Sequence, residues 1–341
     1  MIEAHVRAEI EALERTAELV LRVAGDTPVA QALRAHAGDL VRELGRVRTW
    51  AALADRRALC RKARAEALCY TQAVLLREHG LDGGAMAAAE GLVAHLCRTA
   101  GVPPNVVIGV SAGPESFTRA FDLVRLPPHP TVWHLPVLAH EVGHYVVREL
   151  RHVRERDERP LRELADRTGE EELVADCYAA YTIGPAYPLS CVWLRIDPER
   201  ADVPGTTHPS WRRRVRTMVA LLRSMTAKYG TGQYAAAAER MILPAWSRLT
   251  GSPLWPEGDA PPEEPGPARA ILTQLDRHLG PARYDVGPHL ASAAQALAGD
   301  GPPGPGVTAA HLLNAAWSAR LRGDGGPDLD RRALALLAGG A

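Results

Sequence analysis

Net charge is the first thing this sequence lacks: forty Lys and Arg stand against forty Asp and Glu, so no global field draws the chain onto a nucleic-acid backbone or an anionic membrane. Lysine is nearly missing as well, with only Lys62 and Lys228, and the arginine that replaces it is a habit of the whole chain rather than a binding signal. The five cysteines, Cys60, Cys69, Cys97, Cys177 and Cys191, are scattered and form no C-x-x-C pair. That excludes a disulfide framework and a thiolate metal cluster, and it points to a reducing compartment. No run of about eighteen apolar residues occurs, and the opening MIEAHVRAEIEALER has frequent charges and no apolar h-region. The expectation is a cytoplasmic protein with no membrane span and no nucleic-acid partner. What is present is a globular composition, 46% hydrophobic and 23% charged, in 341 residues, enough for two domains or one elaborated one.

The order of the chain suggests three regions. Residues 1–103 repeat apolar positions at helical spacing, as in Ile10, Leu13, Leu33, Leu40 and Leu44, and predict about four helices. From 104 to 228 the texture changes: Val106–Val110 and Phe121–Leu126 are short β-prone runs bounded by Pro and Gly. A helix is then expected from Pro136 toward Arg151, and another from about Glu170 to Tyr181. Residues 229–341 return to a helical pattern broken by SPLWPEGDAPPEEPGP and GDGPPGPG. The expected class is α+β and predominantly helical, a core with a small sheet flanked by helical N- and C-terminal regions.

Chemistry concentrates in the middle region. His140-Glu141-Val142-Gly143-His144 is an H-E-x-x-H motif, which a chain of this composition would produce by chance in only about 0.03 of shuffled sequences. On a helix its two imidazoles lie one turn apart on one face and can reach a single ion, while Glu141 is placed to take a proton from a water rather than to ligate. Catalytic zinc normally takes a third protein ligand and keeps one open position. Glu172, 28 residues past His144, offers that ligand, and Asp176 one turn on can buttress a histidine from behind. The adjacent Glu170 and Glu171 compete for the role, although both also read as an acidic helix start. Donors for an oxyanion are His208, Tyr187, Tyr181, Tyr178 and Arg214.

These residues resemble the gluzincin metallopeptidases, and within them the HtpX/CAAX-prenyl-protease-like group. The resemblance rests on L-x-H-E-x-G-H at Leu138–His144, on E-x-x-A-D at Glu172–Asp176, and on T-H-P-S at Thr207–Ser210 with Arg214 following, about 75 residues in all and without the transmembrane helices that members often carry. It implies a zincin-like core holding Zn²⁺ on His140, His144 and Glu172, with His208 near the active site as the favoured oxyanion donor. It further implies a peptide or protein substrate paired by β-addition along an edge strand, for which Phe121–Leu126 is the candidate. The function expected is a zinc peptidase with Glu141 as general base. The alternatives are a zinc amidohydrolase acting on a small molecule and a non-catalytic zinc-containing interaction protein. A di-iron protein would need its two E-x-x-H matches, Glu141 to His144 and Glu149 to His152, on different helices, and here one helix carries both.

Overall fold

The computed structural model describes residues 2–111, 116–118, 122–127, 130–153, 171–205, 208–230, 233–255, 267–285, 287 and 289–339. Within them the protein is predominantly helical with one small sheet, which is the α+β class expected. Its contacts divide it into two units, residues 1–86 with 105–129 and residues 87–104 with 130–341.

In the first unit the helix starts are written in the sequence. Helix α1 (Ile2–Ala24) turns Leu13 and Val20 inward. Helix α2 (Pro28–Leu44) opens behind Thr27, whose hydroxyl accepts the Ala30 amide, while Pro28 occupies a first turn where its missing N–H costs nothing. Thr49 caps α3 (Trp50–Glu78) in the same way through the Ala52 amide. The three helices pack together over one cluster of Leu13, Leu40, Leu44 and Leu53 and a second of Val20, Leu33, Tyr70 and Val74. Helix α4 (Ala85–Ala100), begun by Asp82 accepting the Met86 amide, makes the fourth segment expected before residue 103, and from Ala87 onward it belongs to the second unit.

Strands β1 (Val107–Val110), β2 (Ser116–Thr118) and β3 (Leu123–Leu126) form a sheet in the order β1-β3-β2, with β3 parallel to β1 and antiparallel to β2. Gly109 lets β1 lie close on α3, since a Cβ there would stand 3.3 Å from the Cys69 Cβ. This topology corrects the expectation of an open edge strand over Phe121–Leu126. β3 is the middle strand with a ladder on each side, so its backbone has no edge left to pair with a substrate. Phe121 itself lies outside the described residues.

The second unit carries the motifs. Helix α5 (Pro136–Val153) begins at the proline expected and runs two residues beyond Arg151. Helix α6 (Glu171–Ile183) is buried on every side from Leu173 onward, as befits a helix that is apolar all round. The short helix α7 (Ala186–Ser190) continues into a π-helical turn, Cys191–Arg195, and α8 (Trp211–Tyr229) is capped by Ser210 and ended by Gly230 at φ 71°. The C-terminal part adds α9 (Gln233–Ala237), a second π-helical turn (Ala238–Ile242), α10 (Leu243–Thr250), α11 (Pro267–Leu279), α12 (His289–Ala298), α13 (Ala309–Arg322) and α14 (Pro327–Ala338). Among the described residues no helix is long and apolar enough to cross a membrane.

Candidate metal centre

The site is made by two helices that touch at a glycine. Gly143 of α5 faces Ala175 and Tyr178 of α6 so closely that a Cβ on it would stand 3.2 Å from the Ala175 Cα and 3.0 Å from the Tyr178 ring. Only a residue without a side chain allows this approach. It sets Glu172 on α6 opposite the two histidines of α5. His140 Nε2 then stands 3.3 Å from His144 Nε2 and 3.3 Å from Glu172 Oε2, while His144 Nε2 stands 3.6 Å from Glu172 Oε1. These three residues form a group able to hold a metal ion, their donor atoms all within 4.8 Å of one another.

Glu172 presents a different oxygen to each histidine, Oε2 to His140 and Oε1 to His144. One feature suits this group to a cation. Glu172 Oε2 is buried with no aligned hydrogen bond, which is costly for a carboxylate oxygen unless something positive completes it. Arg214 reaches it only at 3.7 Å.

The ligand histidines are held from behind. His140 Nδ1 lies 3.0 Å from Asp176 Oδ1, close but off the line of a good hydrogen bond, and the His140 ring stacks on Tyr187 with centroids 5.8 Å apart. Asp176 is fully buried and held by Arg214 through two bonds of 2.7 Å and by the Tyr187 hydroxyl at 2.5 Å. Burial alone would raise the Asp176 pKa; the Arg214 guanidinium overrides it and keeps the carboxyl ionised, well below the usual range. Burial likewise disfavours a charged His140, but Asp176, Glu172 and Glu141 outweigh it and raise its pKa to about 9. Glu172 is driven the other way, to about 2, because His140, His144 and Arg214 overcome its own desolvation. These carboxylates favour the charged imidazole, and a metal bound there would take the place of its proton. Glu141, between the two histidines in sequence, is itself buried.

The other candidates separate by where their polar atoms point. The Tyr187 hydroxyl is committed to Asp176, the Tyr181 hydroxyl donates to Asp276, and the Tyr178 hydroxyl is buried, with no hydrogen-bond partner among the described residues, on a ring packed against Gly143. Arg214 is consumed by Asp176 and rests on the Trp211 ring. His208 differs from all four. Its side chain is 53% exposed, and its Nε2 lies 3.3 Å from Glu172 Oε1.

Two residues were misjudged or missed from sequence. Glu171 reads there as an acidic helix start, yet its Oε1 lies 3.2 Å from His144 Nδ1, giving the second histidine a carboxylate as Asp176 serves the first. Arg214 reads as one of five candidate oxyanion donors and proves to be the counter-ion of Asp176, on a helix that the sequence alone does not bring to it. Glu170 lies outside the described residues. No protein-family model matches the chain, and no curated protein or solved structure is significantly similar to it.

Proposed function

We propose that the chain is a zinc-dependent peptidase of the gluzincin kind, with His140, His144 and Glu172 as ligands and Glu141 as general base. The observation that supports it is the donor group itself, two imidazoles and a carboxylate with ligand atoms within 4.8 Å of one another and a glutamate between the histidines in sequence. Two imidazoles with one carboxylate are a ligand set of catalytic zinc and leave a position open. Bound there, zinc would act as a Lewis acid on the scissile carbonyl and lower the pKa of a water.

The chain's own residues supply the rest. Glu141 takes the proton of the attacking water and returns it to the departing amine, the role its place beside the ligands suits. Asp176 and Glu171 hold the two rings from their Nδ1 sides, which leaves each Nε2 as the atom that would ligate a metal, and the Arg214 ion pair keeps Asp176 anionic. His208, exposed beside Glu172, donates to the carbonyl oxygen as charge develops on it.

Metal analysis of the purified chain, followed by hydrolysis of a quenched fluorescent peptide library, tests the reading. One zinc per chain, cleavage lost to a chelator and regained with added zinc, and no cleavage by the Glu141→Gln protein are expected. A zinc-loaded protein that leaves every peptide intact while hydrolysing small acylamides would move the assignment to the amidohydrolase alternative.

A further inference from the structure

The second unit contains a cavity of about 320 Å³ that the zinc chemistry does not use. It is a half-open cavity lined by the π-helical turn Ala238–Ile242 with the end of α9, by α12 and α13, and by the turn between α6 and α7. The volume falls within the ~300–1,000 Å³ of small-molecule sites, and the lining has their character, mostly apolar with a few polar groups. Ala237, Met241, Tyr284 and Leu290 make the apolar wall.

The polar lining decides what could enter. Asn314 spends its amide completely: its N–H groups donate to Ile183 O and Ala310 O, both at 2.7 Å, and its oxygen accepts the Ala186 amide at 3.0 Å. The Ser318 hydroxyl donates to Asn314 O at 2.8 Å. Neither side chain has a donor left to spend on an occupant. Arg240 is the exception. It is exposed, it lines the cavity, and among the described residues it has no carboxylate partner, nor does any carboxylate line the space. An occupant must therefore offer an apolar body to the wall and one anionic group to the guanidinium. The π-helical turn that presents Arg240 and Met241 is a rare conformation, kept mostly where function requires it.

We propose that this cavity is a binding site for a small monocarboxylate with an aliphatic body, its carboxylate on Arg240 and its chain against Met241, Tyr284 and Leu290. The site stands apart from the zinc reading, because none of its lining residues is a ligand or proton carrier there. Its wall does carry the link between the two. Gly184, at φ 67°, has the Tyr284 ring where a side chain would be, and Tyr284 N donates to Tyr181 O at 2.8 Å. The turn that Asn314 and Tyr284 hold is the one joining the helix of Glu172 and Asp176 to the segment of Tyr187. Occupancy would stiffen that turn.

The test is calorimetric titration of the full chain with octanoate, in chelator so that no carboxylate can bind through a metal. Octanamide serves as the uncharged control, and Arg240→Gln and Ala237→Trp as variants. Saturable one-to-one binding is expected, about tenfold weaker or more for octanamide and for the Arg240→Gln protein, the loss of one charge-assisted hydrogen bond. It should be abolished in Ala237→Trp, whose ring fills the space, and slower amide exchange over residues 183–190 should accompany it in the wild type. No saturable binding of octanoate overturns the proposal. So does equal affinity in the Arg240→Gln protein, an exposed substitution that leaves the core untouched, or full affinity in a folded Ala237→Trp protein.

Discussion

Replacing Gly143 by alanine tests the geometry of the site without touching a ligand. The added Cβ meets the Tyr178 ring at 3.0 Å, the Ala175 Cα at 3.2 Å and the Ala175 carbonyl at 3.3 Å, and two of these three are backbone atoms of α6. They cannot swing aside as a side chain would, so α6 must move away by a few tenths of an ångström. Two effects oppose each other in the stability. Alanine in a helix interior gains about 1 kcal/mol over glycine, while overpacking a close contact costs roughly 1–3 kcal/mol. The net loss is then about 0–2 kcal/mol, and at ~2–4 °C per kcal/mol for a unit of this size the melting temperature falls by no more than about 8 °C. The metal site should suffer more than the fold. Glu172 rides on the displaced helix, its carboxylate oxygens lie 3.3 Å from His140 Nε2 and 3.6 Å from His144 Nε2, and ligand placement tolerates only about 0.5 Å. Zinc affinity, read by competition against a chromophoric chelator, should drop by about 10- to 100-fold, the range seen when support around a ligand set is disturbed. An alanine protein with unchanged zinc affinity and unchanged melting temperature would refute the account of why α5 and α6 meet where they do.

Further substitutions separate the roles of the neighbouring residues. Alanine at His140, His144 or Glu172 should abolish stoichiometric zinc, whereas Glu171→Gln should retain zinc with about 10- to 100-fold lower affinity; a Glu172→Ala protein that keeps zinc while a Glu171→Ala protein loses it would reverse ligand and support. Glu141→Gln should keep the metal and lower turnover by about 10²-fold or more, as loss of a general base does. Arg214→Met leaves the Asp176 charge buried without its partner and should cost about 3–5 kcal/mol by denaturant titration, with part of the loss recovered in the Asp176→Asn, Arg214→Met double variant. His208→Ala should lower the turnover number by about 10- to 10³-fold at unchanged zinc content; a drop in melting temperature with turnover intact would make it a packing residue before Trp211 instead.

How much of this was legible in the sequence follows from the range of the interactions. Pro136, the i, i+4 histidines and the i, i+4 carboxylates Glu172 and Asp176 were legible because one helical turn fixes which residues share a face, whatever the rest of the chain does. The four N-terminal helices were legible for the same reason, through their apolar spacing; the Thr27 and Thr49 caps that start two of them came with the structure. Strand order was not. A β-prone run such as Leu123–Leu126 looks the same at the edge of a sheet and at its centre, and only the pairing of β1 on one side and β2 on the other decides that it is closed to a substrate. The partnership of Asp176 with Arg214 spans 38 residues and belongs to a third helix, so a buried ion pair could be mistaken for an exposed catalytic donor. Glu171 failed for a different reason: an acid at a helix start already has a local explanation, and a local explanation conceals a tertiary one. Gly143 joins the two scales. Its place inside the H-E-x-x-H motif is visible in the sequence, but the purpose of the missing side chain appears only when Ala175 is found against it. The same vacancy that lets α6 approach is what brings a carboxylate from 28 residues away onto two histidines that a single helix had already aligned.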